Sequence, residues 1–156
     1  MEFSVRYDRT TKVLTALVCV LLLSVPLFTD APKILAISAL VIAASFAWSP
    51  RGYTISGRTL TVKRLVGNAR VPLNDLRDVR RATADDLRGC LRLFGSGGMF
   101  GYFGLFRTSK LGRCWWYATN RQNMVVVITG DQTVLVSPAE VDAFLSIIGP
   151  VQSTSS

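Results

Sequence analysis

Two uncharged stretches near the start of the chain constrain what the rest can be. Residues 13–28 and 34–49 each run for 16 residues without Asp, Glu, Lys or Arg. As helices each would span roughly 24 Å at about 1.5 Å per residue, against a bilayer core of about 30 Å. Thr10, Thr11, Thr29 and Ala31 can extend the ends, and Lys12 and Lys33 can snorkel to the interface. Two transmembrane helices are therefore expected, at 12–29 and 34–49. Only Thr29-Asp30-Ala31-Pro32-Lys33 joins them, a connection short enough to force an antiparallel hairpin. Pro26 falls where it should kink or finish the first helix.

A signal peptide or a buried helical pair accounts for the apolar runs less well. A cleaved signal peptide also has a basic start and an apolar stretch. Here Glu2 and Asp8 interrupt the leading segment, no small-x-small cleavage site follows, and a second apolar run comes at once. A buried helical pair in a soluble core would need more protein around it, because neither run has a polar face.

Orientation follows from the basic flanks. Arg6, Arg9 and Lys12 precede the first run, and Arg51, Arg58, Lys63 and Arg64 follow the second, whereas the turn offers only Lys33, countered by Asp30. Lys and Arg near span ends favour the cytoplasmic side, so both termini are expected there. Trp48 and Tyr53 stand where interfacial aromatics would anchor the second span. Cys19, Cys90 and Cys114 show no pairing pattern, which fits a reducing compartment.

With 156 residues the chain has room for one domain and an appendage. The division expected is a hairpin over 1–50, a domain over 51–148 and a disordered tail over 149–156. Charge is uneven along the domain. Arg51 to Arg121 holds fourteen Lys or Arg against four Asp, while the segment from Asp131 onward holds three acids and no base. A basic face beside a bilayer attracts anionic headgroups; nucleic acid is the less favoured partner for it.

Catalysis is not expected. The chain has no histidine, the commonest general base and metal ligand. Asp75, Asp78, Asp85 and Asp86 sit among Arg77, Arg80, Arg81 and Arg88, as surface ion pairs do, and two adjacent carboxylates alone are a poor cation site. No cofactor and no metal is implied.

After Pro50 the pattern is that of short strands. Arg51–Ile55 and Arg58–Arg64 flank a Ser56-Gly57 turn, and further strands are expected at Ala69–Leu73, Asp75–Ala82, Cys114–Thr119, Met124–Thr129 and Thr133–Val136. Leu76 and Val79 are the core contacts expected of the fourth of these. Ser137-Pro138-Ala139-Glu140 reads as a capping box. Val141, Phe144, Leu145 and Ile148 then recur at helical spacing, and Gly149-Pro150 should stop the helix.

The segment Gly95-Ser-Gly97-Gly98-Met-Phe100-Gly101-Tyr102-Phe103-Gly104-Leu-Phe106 interleaves glycines and aromatics. It misses the last glycine of a G-x-G-x-x-G phosphate loop and is expected to be a long hairpin loop. Phe100, Tyr102, Phe103 and Phe106 either pack on the domain or face a partner or the bilayer. Arg88, Arg92, Arg107 and Lys110 flank the segment and, with Arg80 and Arg81, are the candidate anionic-lipid contacts.

The order of this glycine-aromatic segment, Leu111-Gly112-Arg113, Tyr117-Ala118-Thr119, the strand at Met124–Thr129 and Val136-Ser137-Pro138 resembles a bacterial pleckstrin-homology (PH) domain. The resemblance spans roughly 51–148 and is to the membrane-anchored type, whose members often carry two N-terminal spans. It implies seven strands in bent antiparallel sheets closed by a C-terminal helix. Function does not follow from the fold. With the two spans, the expectation is a multi-pass interaction module of a bacterial inner membrane that binds a protein partner or another copy of itself. The alternative is an anionic-phospholipid-responsive module that uses the basic face. The loop that carries basic residues in phosphoinositide-binding PH domains is here only Ser56-Gly57 with Arg58 beyond it, so general anionic-lipid or protein contact is the better expectation.

Overall fold

Asp8 starts the first helix: its carboxylate accepts the backbone N–H of Thr11 at 2.6 Å, as an N-cap should. The computed structural model of the chain describes residues 1–29 and 31–153, with side chains described through residue 149. Helices α1 (Arg9–Phe28) and α2 (Pro32–Trp48) form the antiparallel hairpin. Pro26 lies inside α1, which continues to Phe28. Asp30, in the turn, lies outside the described residues.

The hairpin leaves its apolar side chains largely uncovered. Leu17, Val20 and Leu21 on α1 and Ile37 and Leu40 on α2 are exposed, while Thr11, Pro26 and Ser38 are its buried members. α1, with 20 residues, has the length and apolar character of a membrane span; α2 is equally apolar but has 17.

The strands begin earlier than expected. β1 (Glu2–Ser4) precedes the hairpin and pairs antiparallel with β2 (Gly52–Ser56), which follows it. β3 (Thr59–Lys63) and β4 (Ala69–Pro72) complete a four-stranded sheet in the order β1-β2-β3-β4. The domain after the hairpin thus takes an outer strand from the chain before it. Phe3 on β1 is buried and meets Phe144 edge-to-face at 5.3 Å. Val5 bridges to Pro138, and the N–H of Ala139 donates to Ser4 O at 3.0 Å.

The second sheet has six strands: β5 (Leu76–Arg81), β6 (Leu91–Gly98), β7 (Gly101–Thr108), β8 (Gly112–Ala118), β9 (Val125–Thr129) and β10 (Thr133–Val136). Their order is β5-β9-β10-β8-β7-β6, antiparallel except for β10 against β8. All seven strands read from the sequence are present, with β1, β6 and β7 added. In the first turn Ser56 pairs with Thr59, so the turn residues are Gly57 and Arg58, one place later than expected.

Both faces of the six-stranded sheet are covered, which is why β9 reads as an unbroken valine run rather than an alternation. Val125, Val127, Val134 and Val136 face the four-stranded sheet and helix α3 (Val141–Ser153), packing with Leu60, Val62, Phe144 and Ile148. Leu76 is buried in this core, and Val79 packs against it. On the opposite face Val126 and Leu135 pack with Tyr102, Phe106, Cys114 and Trp116.

Three local expectations change. Tyr53 is a core residue, not an interfacial anchor: its buried hydroxyl donates to Tyr117 O and accepts the N–H of Ser137 at 3.1 Å. Burial pushes the Tyr53 phenol up to about 12. Ser137 is not the helix cap either, because its Oγ accepts the N–H groups of Thr119 (2.8 Å) and Asn120 (3.2 Å). α3 starts after Glu140, whose carbonyl accepts the N–H of Phe144 at 3.0 Å. It also runs through Gly149 and Pro150 to Ser153; the rest of the expected tail lies outside the described residues.

Candidate interaction surface

The glycine-aromatic segment is not a loop but the hairpin β6–β7, with Met99 and Phe100 at its tip. Gly95 and Gly104 face each other across the two strands, with φ of 107° and 128°. A Cβ on Gly95 would lie 2.1 Å from Phe103 O, and one on Gly104 would lie 2.2 Å from Phe94 O. The pair closes only without side chains. Gly98 and Gly101 flank the tip: a Cβ on Gly98 would meet Leu14 of α1 at 2.3 Å, and one on Gly101 would meet Ala118 O at 2.9 Å. Gly97 has an ordinary backbone angle and is exposed.

Strand alternation fixes where the aromatics go. Tyr102 and Phe106 point into the second core, Phe106 stacking on Trp116 at 4.5 Å. Phe103 points to the other face, where the helical hairpin covers it. All three are buried within the chain, which corrects their reading as partner or bilayer contacts. Phe100 is half-buried and meets Phe46 of α2 edge-to-face at 5.3 Å.

The exposed apolar side chains of this hairpin are those just before the glycines. Leu91, Leu93 and Phe94 are 65%, 50% and 75% exposed, and they lie on β6, an edge of the six-stranded sheet. Pairing shifts between Arg92 and Phe94, leaving Leu93 in an irregularity that breaks strict alternation. The signal legible in the sequence was the apolar cluster Leu91-Arg92-Leu93-Phe94.

The basic candidates divide. Arg80 grips Asp86 with two bonds, Nη1 to Oδ2 at 2.5 Å and Nη2 to Oδ1 at 2.8 Å, and also reaches Asp78 at 3.2 Å. Asp86 is fully buried rather than a surface partner, and it further accepts the N–H and Oγ of Thr83, each at 2.8 Å. Those bonds, led by Arg80, hold its carboxyl far below the usual carboxylate range. Lys110 lies 3.3 Å from Asp86, Arg81 pairs with Asp142 at 2.7 Å, and Arg88 lies 3.8 Å from Asp85. Among the described residues Arg92 and Arg107 have no acidic partner within ion-pair distance.

Between the hairpin and the sheet lies a cleft of about 800 Å³. Leu14, Val18 and Leu22 of α1 and Val41, Ala44 and Trp48 of α2 form one wall; Phe94, Phe103, Trp115 and Tyr117 form the other. Arg64 and Arg92 also line it. The Arg64 guanidinium sits 5.5 Å over the Tyr117 ring, whose phenol burial pushes up, so the ring presents a neutral π-face. The turn after Arg64 is tied to the hairpin by the N–H groups of Leu65 and Val66, which donate to Ala47 O at 3.1 and 3.2 Å.

Two sheets around a shared core, closed by a C-terminal helix and preceded by an apolar helical hairpin, define a PH-like domain with an N-terminal appendage. Such a domain suggests protein or lipid interaction. A family profile described as Bacterial PH domain matches residues 51–148, and the chain belongs to that family. No curated protein and no solved structure matches it.

Proposed function

We propose that the chain is a membrane-anchored interaction module of a bacterial inner membrane. α1 and α2 cross the bilayer as two spans, both termini lie in the cytoplasm, and the domain has no catalytic role. It binds a protein partner or a second copy of itself through the edge of β6. The observation that carries this reading is the sheet edge at Leu91–Phe94, where large apolar side chains stand exposed on a strand that, among the described residues, has a neighbouring strand on one side only. Edge strands of this kind recruit further strands unless charge or a covering element blocks them. The adjacency of β1 and β2 supports the topology, since the hairpin leaves and rejoins the domain at neighbouring strands.

The competing reading, headgroup binding by the basic face, loses support at Arg80, Arg81 and Lys110, which already face carboxylates. The test is the full chain in mild detergent, measured for mass by light scattering and for cross-linking in native membranes. Phe94→Lys and Leu91→Lys should reduce the associated species to monomer while leaving the thermal transition in place. Unchanged association in both variants would remove the β6 edge from the proposal.

A further inference from the structure

We infer that the cleft between the helical hairpin and the β6-β7-β8 face is a binding site for one anionic phospholipid, its acyl chain between the walls and its phosphate at Arg64 and Arg92. This rests on the membrane reading above and adds a ligand to it. The cleft volume of about 800 Å³ lies within the roughly 300–1,000 Å³ typical of small-molecule sites. Its walls are apolar, and Leu14 of the α1 wall adjoins the exposed Val13 and Leu17, part of the uncovered hairpin surface that a bilayer would cover. A ligand reaching the cleft from that side is a lipid rather than a soluble solute.

Charge decides which lipid. Arg64 Nε is buried and, among the described residues, has no hydrogen-bond partner. Neither Arg64 nor Arg92 has a carboxylate within ion-pair distance among the described residues, in contrast to Arg80 and Arg81. A phosphate would supply the missing acceptor, and guanidinium forks match phosphate oxygens. Trp48 and Trp115 in the walls suit the headgroup level.

The experiment is native mass spectrometry of the full chain released from nanodiscs of phosphatidylglycerol or of phosphatidylcholine. One phosphatidylglycerol should remain per chain, with little phosphatidylcholine. Arg64→Gln and Arg92→Gln should each lower occupancy by about tenfold, the weight of one charge-assisted contact. Ala44→Phe should lower it by filling the cleft. Arg92 stands on an exposed strand, so its variant keeps the test decisive if Arg64→Gln does not fold. Equal retention of both lipids, retention unaffected by the Arg92 and Ala44 variants, or equally tight binding of glycerol 3-phosphate alone would each overturn the site. A chain that stays in the membrane fraction after carbonate washing yet retains no lipid sinks the site and leaves the anchor. A chain in the supernatant sinks both.

Discussion

The backbone N–H of Phe100 donates to Thr15 Oγ1 at 2.8 Å, tying the tip of the β6–β7 hairpin to the first helix. The same hydroxyl reaches Gly98 O at 3.4 Å, and Ser49 Oγ, at the end of α2, donates to Phe100 O at 2.8 Å. Phe100 has a φ of 56°, a left-handed angle that non-glycine residues rarely hold without such fixing. The tip therefore clamps the domain to both helices where they enter and leave it.

Thr15→Val should leave the fold intact and loosen this clamp. The Phe100 N–H loses its acceptor in a half-buried place, worth about 1 kcal/mol. Hydrogen exchange of that amide should quicken about fivefold by the same arithmetic, with the β9 amides unchanged. An unchanged Phe100 amide would show that the bond does not hold the tip.

Phe3→Ala should destabilise the domain by about 3–5 kcal/mol, the range for emptying a buried aromatic site. The sequence places Phe3 before the hairpin, yet it packs on Phe144 at the far end of the chain. A fragment beginning at Arg51 should be less stable than the full chain for the same reason, since β2 loses its neighbour. Equal denaturation midpoints for the two would count against β1 as part of the sheet.

Gly95→Ala should be severely destabilising, and Gly97→Ala mild. At Gly95 the backbone angle alone costs an alanine about 1–3 kcal/mol, and the added Cβ would strike Phe103 O and Gly104 Cα. At Gly97 the nearest group is the flexible Arg92 guanidinium at 3.4 Å. Thermal unfolding of the two variants side by side checks the ranking.

Asp86 should give the domain an acid-labile component. Its carboxyl titrates far lower in the folded state than the usual value of about 3.9. The stability it contributes is then complete above roughly pH 5 and declines as pH falls toward the depressed folded value. Asp86→Asn should flatten that acid limb and lower stability at neutral pH by about 2 kcal/mol, because Arg80 loses its charge-assisted bonds to Asp86 and keeps only Asp78. Denaturant midpoints measured from pH 3 to pH 7 distinguish the two proteins; parallel curves would show that Asp86 carries no such role.

Much of this architecture was legible because it depends on local pattern. The two uncharged runs are helices; the seven strands follow from alternation and from Gly57, Gly67 and Gly130 at or beside the turns. The glycine-aromatic segment was legible as unusual but not as two strands, because glycines at Gly95 and Gly104 depress any strand signal. Their role depends on a partner strand whose distance no local pattern gives. Ser137 followed every rule of a helix cap, yet the approach of Thr119 and Asn120 claimed its hydroxyl first. Asp86 and Asp85 look alike along the chain, and only folding buries one of them beneath Arg80.

By itself the sequence determined that an apolar hairpin precedes a basic, strand-rich domain, since hydropathy, charge and period are properties of neighbouring residues. The PH type came from the resemblance carried by the glycine-aromatic segment and the motifs after it. Tertiary structure decided which cations stay unpaired, which aromatics are buried, and that the chain before the hairpin completes the sheet after it. Each of those turns on contacts between residues tens of positions apart, whose burial and charge compensation exist only once the sheets have closed.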